Sequence, residues 1–212
     1  MTEWIGPAQF HDADGVDDWR MLGSGIGAHF RTASFASGIE FATAVGQLTQ
    51  TSHLDLRPTG VTVRLPMDWE NGLSGSYIEL ARQISAAARV AGATAEPAAV
   101  QDVQLTIDAF DIPAVRAFWQ AVLGYRQLGE EDLVDPLSSG PPLWFQEMDT
   151  SRTQRNRIHV DVFVPHDQAE ARVAAALAAG GTLLTDRHAP AWWTLADPEG
   201  NEVDVATWTG RG

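Results

Sequence analysis

The first half of the chain alternates between two hydrophobic periods. Residues 27–35 and residues 60–65 carry apolar side chains at every second position, so both segments predict strands. Residues 37–49 and 74–90 instead space their apolar side chains at helical intervals. The first half therefore predicts an α+β arrangement, with a small antiparallel sheet and a pair of helices.

A break in this pattern follows the second helix. The Ala-rich helix ends at Gly92, and small residues and Pro97 follow before a new alternating strand begins at Val103. A helix end, a proline and a change of period within ten residues mark a domain boundary. We therefore divide the chain into a domain of residues 1–95 and a domain of residues 100–212.

The second half repeats one order of elements. A strand, a helix and three short strands fill residues 103–148, and the same order returns over residues 157–207. Each round takes roughly 50 residues, which indicates an internal repeat. Asp111 and Asp167 stand at the two helix starts, where an aspartate is suited to cap the first turn. The sequence thus predicts two βαβββ modules.

Composition narrows the class of protein. A hydrophobic fraction of 44% is typical of a globular protein with a real core, and there is no cysteine for a disulfide or a thiolate metal site. No apolar run approaches the ~20 residues that span a bilayer. The start of the chain lacks a basic and apolar leader, so we expect a cytoplasmic protein without a membrane partner. A net charge of −14 opposes nucleic acid as a partner.

Polar side chains occupy the second face of several strands in the repeat. The apolar faces of these strands should pack under the helices, so the polar faces would line a common concavity. A solvated face of an antiparallel sheet gives the same pattern, and both interpretations stay open. The polar positions are Gln104, Thr106, Asp108, His159, Asp161, Glu202 and Asp204.

Three segments of this half resemble the glyoxalase/bleomycin-resistance, or vicinal-oxygen-chelate, family. Residues 108–125 resemble its first-module helix, with an Asp, an aromatic pair and a Leu-Gly ending. Residues 156–165 resemble the strand that opens its second module. Residues 193–204 resemble its closing hairpin, in which Asp-Pro-Glu-Gly-Asn makes the turn. The resemblance implies two βαβββ modules that wrap one cleft for a small molecule.

The resemblance also implies a set of metal ligands. Carried over by position, the four ligands are Gln104, Gln146, His159 and Asp204. One imidazole, one carboxylate and two amides supply less negative charge than divalent ions usually require, and many relatives have incomplete sites. Two readings of His159 therefore stay open: a ligand of one Zn, Ni, Mn or Fe ion, or a histidine that only forms hydrogen bonds inside the cleft.

The same resemblance suggests roles for further side chains. If a metal binds, Asp204 or Glu147 is the candidate base, although Glu147 points to the other face of a regular strand. Trp144, on the face of Gln146, either stacks on a planar substrate or packs in the core. Thr106 and Asp161 would line the same cleft and contact the substrate.

The N-terminal half resembles the pterin-4a-carbinolamine dehydratases over about residues 5–92. Residues 19–45 and 55–65 carry the likeness and imply an α/β sandwich. That family uses a His-His-Pro run and a later histidine as proton carriers. Here Gln50 and Thr51 stand at the paired histidines and Asp68 stands at the later one; a local shift of the alignment makes His53 the single candidate imidazole. We therefore expect no dehydratase activity.

Three functions stay open after this comparison. The first is an enzyme of the glyoxalase superfamily that acts on a small oxygenated molecule, as a metal-dependent lyase, isomerase or dioxygenase. The second is a non-enzymatic protein that binds a small molecule, as drug-sequestering members do. The third is residual 4a-hydroxytetrahydrobiopterin dehydratase activity in the N-terminal half. We expect a homodimer, in a superfamily that closes its cleft within one chain or between two.

Overall fold

The chain folds into two compact units, Met1–Asp102 and Val103–Gly212. The structure is a computed structural model that describes residues 4–68, 71–148, 160–207 and 209–210. Residues 96–102 go with the first unit, because the Asp102 carboxylate accepts hydrogen bonds from the backbone N–H and the hydroxyl of Ser24 (2.9 and 2.6 Å). Within the part of the chain described, no helix is long and apolar enough to cross a membrane.

The N-terminal unit pairs one antiparallel sheet with two long helices. The sheet has the strand order β2-β3-β5-β4, with β7 added to β3, and β1 and β6 form a separate two-stranded ribbon. Its elements are β1 (Trp4–Ile5), α1 (Pro7–His11), β2 (Arg20–Leu22), β3 (Gly25–Arg31), α2 (Phe35–Leu48), β4 (His53–Arg57), β5 (Gly60–Pro66), β6 (Leu73–Ser74), α3 (Ser76–Val90), β7 (Thr94–Ala95) and a 3-10 turn at Pro97–Ala99.

The core of this unit lies between the sheet and the helices. The inner face of β5 is fully buried at its alternate valines and at Leu65, and α2 and α3 contribute Phe41 and Ile84. Trp19 is 2% exposed, and its Nε1 donates to the backbone oxygen of Ala81 (3.2 Å) and to the Ser85 hydroxyl (3.1 Å). The indole therefore ties the segment before β2 to α3.

Two of the differences between the predicted and the observed elements of this unit have a clear local cause. The first strand ends at Arg31 rather than at residue 35, because the Ser34 hydroxyl accepts a hydrogen bond from the Ser37 N–H (3.1 Å) and begins α2. Strand β4 was not predicted; it is an edge strand and its residues are mostly exposed, so its hydrophobic pattern is weak. The α+β class is confirmed, and the likeness to pterin dehydratases stays a prediction.

The C-terminal unit contains two four-stranded sheets of identical order. In each module the first strand pairs in parallel with the last, and the middle strands are antiparallel, which confirms the two βαβββ modules. The first module contains β8 (Leu105–Ala109), α4 (Ile112–Leu123), β9 (Arg126–Leu128), β10 (Asp132–Val134) and β11 (Leu143–Glu147); the second contains β12 (Val160–Phe163), a 3-10 turn at His166–Gln168, α5 (Ala169–Ala178), β13 (Thr182–Thr185), β14 (Trp192–Ala196) and β15 (Glu202–Ala206).

One hydrophobic core joins the two modules. Phe118 and Trp119 of α4 pack with Val173 of α5, and the inner faces of both sheets add Phe145 and Val203. Trp119 is 2% exposed, so it belongs to the helix core. Both modules therefore bury their apolar faces in the same interior.

Both ends of α4 are held by charged side chains of the second module. At the N-terminal end, the Glu199 carboxylate accepts hydrogen bonds from the backbone N–H groups of Phe110 (2.8 Å) and Asp111 (2.6 Å). At the C-terminal end, the Arg172 guanidinium donates to the carbonyl oxygen of Val122 (2.7 Å). An anion at the first turn and a cation at the last both complement the helix dipole. The first-module helix thus depends on second-module side chains.

Of the two predicted aspartate caps, one is observed and the other is not. Asp111 is the N-cap of α4, and its carboxylate accepts from the Ala114 N–H (3.1 Å), as expected. Asp167 does not cap α5, because Pro165 leads into a 3-10 turn that contains Asp167, and the helix begins only at Ala169. The prediction of a second aspartate cap was wrong for this reason.

Asp197 organises the hairpin between β14 and β15. The residue is 3% exposed, and its carboxylate accepts from the Trp119 Nε1 (2.9 Å). It also accepts from the backbone N–H groups of Glu199 and Asn201 (2.9 Å each) and from the Asn201 side-chain amide (2.7 Å). This single carboxylate fixes the turn that presents Glu199 and connects it to the core.

Candidate functional site

The first sheet presents one polar face. Its strand register aligns Thr106 of β8 with Trp144 of β11 and with Asp132 of β10. The next residue pair on this face is Asp108 with Gln146. Laterally paired residues point to the same side of a sheet, so these side chains share one surface opposite the buried core face.

Trp144 lies on the polar face of the first sheet and not in the described core. The indole is half-buried and lies outside the described hydrophobic core. Its Nε1 donates to the Glu131 carboxylate (3.1 Å). This bond uses the one donor of the indole and leaves the ring faces for contact. Trp144 is therefore not part of the described core, and its stacking on a substrate stays a prediction.

Gln104 lies just before β8, and Glu147 is the last residue of β11. Gln104 is exposed and directly precedes β8. Glu147 pairs with Ala109, a buried residue of the core face, so Glu147 and Gln146 point to opposite sides of β11. The regular strand therefore directs Glu147 away from the polar face, and its role as a base stays a prediction with less support than that of Asp204.

The second sheet brings two carboxylates together. The parallel register of β12 and β15 aligns Asp161 with Asp204, and β14 adds Thr194 on the other side of Asp204. Neighbouring strands lie roughly 4.8 Å apart, so the two carboxylates are side by side. Val203 and Val205 occupy the opposite face of β15 and are fully buried. His159 lies outside the described residues.

The predicted site residues thus form two groups, one on each sheet. Thr106, Trp144 and Gln146 share the first polar face, and Asp161 and Asp204 share the second. Among the described residues, no group of three or more His, Asp or Glu side chains is arranged to hold a metal ion. The predicted ligand set contains two amides and the undescribed His159, so it stays a prediction.

Asp132 belongs to the first polar face and was not singled out from the sequence. Its side chain is half-buried. No described residue donates a hydrogen bond to its carboxylate or forms an ion pair with it. Burial raises the pKa of Asp132, and the neighbouring Glu131 carboxylate raises it further. Its alternation with the buried Leu133 was the available signal in the sequence.

We expect the Asp132→Asn variant to be more stable than the wild-type protein at neutral pH. Because the pKa of Asp132 is raised in the folded state, the unfolded chain ionises first, and the carboxylate destabilises the fold as pH rises through the folded pKa. Below the unfolded value, about pH 4, the two proteins should melt together. Thermal denaturation across this pH range measures the difference; a gain that is independent of pH would contradict the explanation.

The two N-terminal candidates lie in different segments of the chain. His53 begins the exposed edge strand β4 and pairs with Arg64. Asp68 follows β5, where its carboxylate accepts from the backbone and side-chain amides of Asn71 (2.9 and 3.0 Å), and within the described ranges no hydrogen bond or ion pair joins it to His53. His29, which the sequence did not indicate, shares the outer sheet face with His53 and contacts the Thr62 hydroxyl (2.9 Å).

Comparison with known proteins yields one family match. Residues 104–206 match the family described as a glyoxalase-like domain. No curated protein matches the chain.

Solved structures with a similar fold include three from bacteria. A glyoxalase/bleomycin resistance protein/dioxygenase family enzyme from Burkholderia phytofirmans is 22% identical, with a TM-score of 0.41 over 49% of this chain and 95% of that one. Hypothetical protein SA1046 from S. aureus is 12% identical, with a TM-score of 0.42 over 51% and 94%. A FosX fosfomycin resistance protein mutant from Listeria monocytogenes, in complex with Mn(II) and 1S,2S-dihydroxypropylphosphonic acid, is 15% identical, with a TM-score of 0.40 over 51% and 91%.

The family match covers both βαβββ modules and all the polar positions described above except those of the N-terminal unit. Residues 104–206 are therefore a glyoxalase-like domain.

Proposed function

We propose that the glyoxalase-like domain binds a small oxygenated molecule on the polar faces of its sheets and catalyses a lyase, isomerase or ring-opening reaction on it. The observation that supports this most is the pairing of Asp161 with Asp204 on adjacent strands. Like charges directly opposite in a sheet are destabilising in themselves. A site that binds a cation or exchanges a proton would benefit from such a pair.

The side-chain types proposed for this site would suit a divalent metal ion. Asp161 adds a second carboxylate next to Asp204, which supplies part of the negative charge that the predicted ligand set lacks. With His159 and Gln146, the available donors would be oxygen and nitrogen atoms, which suit Zn, Ni, Mn or Fe. When bound, such an ion supplies Lewis-acid polarisation of adjacent substrate oxygens.

The side chains of the chain itself would bind the substrate and move protons. Asp204, half-buried beside the Thr194 hydroxyl, is the first candidate for a general base. Trp144 would stack on the substrate, and the Thr106 hydroxyl would form a hydrogen bond to it. Glu147 would act as a base only from the opposite side of β11.

Metal analysis of the purified full chain tests this proposal. After loading with Zn, Ni, Mn or Fe, we expect about one ion per chain in the wild-type protein and its loss in both Asp204→Asn and His159→Ala. Glu170→Gln is the matched control, since it removes one carboxylate from the first turn of α5 and should keep the ion. A wild-type protein that holds none of the four metals would contradict the metal-dependent function.

A non-enzymatic binding protein is the second candidate. The amide of Gln146, at a position where the family commonly has a carboxylate, favours it, and a protein that binds small molecules without a metal would support it. For the N-terminal unit we propose no dehydratase activity, because Gln50, Thr51 and Asp68 stand where that family has histidines and His53 is exposed on an edge strand. We also propose a cytoplasmic homodimer, whose subunit number analytical ultracentrifugation measures.

A further inference from the structure

We propose that Asp132 is a ligand-binding carboxyl group, and that the ligand is a planar aromatic ring with an N–H or O–H donor, stacked on Trp144. The inference rests on the proposed function, because it places the ligand on the same polar face. It adds the chemical class of the molecule and a binding residue that the family resemblance did not indicate.

Four side chains form one row across the first sheet. The register aligns Leu128, Asp132, Trp144 and Thr106 on strands β9, β10, β11 and β8. At the usual spacing of about 4.8 Å between strands, the row spans roughly 14 Å, which is enough for one fused ring system. In order, it offers an apolar side chain, a hydrogen-bond acceptor, a flat aromatic surface and a hydroxyl group.

The orientation of Trp144 defines what the ligand can contact. The Glu131 carboxylate accepts the indole N–H (3.1 Å), so the indole has no donor left for a ligand. A ligand can therefore use the ring only through its π surface, and planar aromatic rings are the groups that gain most from such stacking. Its polar contacts must come from Asp132 and Thr106.

The charges around Asp132 favour a ligand with a hydrogen-bond donor over an anionic ligand. Its carboxylate has no hydrogen-bond donor from the described part of the chain, and Glu131 lies next to it. The other charged groups on this face are Arg126 of β9 and Asp108 of β8. A half-buried carboxylate beside a second carboxylate repels an anionic ligand, whereas an N–H or O–H group supplies the missing hydrogen bond.

Titration calorimetry with indole and N-methylindole tests the proposal in the full-length protein. The two probes have the same ring system and differ in the N–H donor. We expect the wild-type protein to bind indole at least about tenfold more tightly than N-methylindole, as for a hydrogen bond to a charged group. Asp132→Asn should weaken indole binding and reduce this preference, and Trp144→Leu should weaken both probes by a similar factor. Glu130→Gln, which removes an exposed neighbouring carboxylate, should change neither.

A second measurement, the pH dependence of binding, uses the wild-type protein alone. The preference for indole in the wild-type protein should fall as the pH is lowered through the titration of Asp132, while the binding of N-methylindole stays constant. Equal affinity for the two probes, no binding of either, or a preference that survives in Asp132→Asn would each overturn the proposal. Metal content, measured on the same preparations, reports separately on Asp204, so failure of the metal-dependent function and failure of this inference are distinguishable.

Discussion

Replacing Asp197 with alanine is expected to lower the free energy of unfolding of the C-terminal unit by about 4 kcal/mol. The buried carboxylate accepts four hydrogen bonds, of which the one from the Trp119 Nε1 lies in the core. Its removal leaves the indole N–H buried without an acceptor and releases the backbone N–H groups of Glu199 and Asn201. The hairpin turn and the core should loosen together.

Chemical denaturation of the full chain, followed by circular dichroism, measures this loss. Asp186→Ala is the matched control, since Asp186 is exposed in the same unit and should change stability by less than about 0.5 kcal/mol. A double-mutant cycle with Trp119→Phe should give a coupling energy of about 1–3 kcal/mol between the indole and the carboxylate. An Asp197→Ala protein as stable as its control would show that the carboxylate does not organise the hairpin.

The second large effect is expected in the N-terminal unit. Trp19→Ala should lower its free energy of unfolding by about 3–5 kcal/mol, because the change leaves a cavity where a 2% exposed indole packs edge-on against Phe30. Trp19→Phe should cost less, since it keeps most of the apolar contact and loses the hydrogen bonds to Ala81 and Ser85.

Denaturant titration of the full chain again provides the measurement. Trp4 is 42% exposed, so Trp4→Ala removes the same side chain from the surface of the same unit and should have little effect. If Trp4→Ala and Trp19→Ala were equally destabilising, the loss would reflect the type of residue and not the burial of Trp19.

The sequence predicted the two βαβββ modules well, because the residues that begin, end and pattern their main elements are close together along the chain. Helix α4 is defined by neighbouring residues, since Asp111 begins it, Gly124 adopts the left-handed conformation that ends it, and its apolar residues keep one period. Strand β4 and the position of α5 were harder, because an exposed edge strand and a 3-10 turn have weak patterns. Asp132 was missed for another reason: its significance lies in its lateral neighbours, and strand register is set by tertiary pairing.

The contact at the N-terminal end of α4 joins the hairpin of the second sheet to the first module. Glu199 lies in the hairpin between the strands that carry Thr194 and Asp204. Its carboxylate accepts hydrogen bonds from the backbone N–H groups of Phe110 and Asp111, which directly follow the strand that carries Thr106. One carboxylate and two backbone N–H groups thus hold the hairpin of the second sheet against the end of the strand that opens the first sheet, so the two modules are also joined at this point.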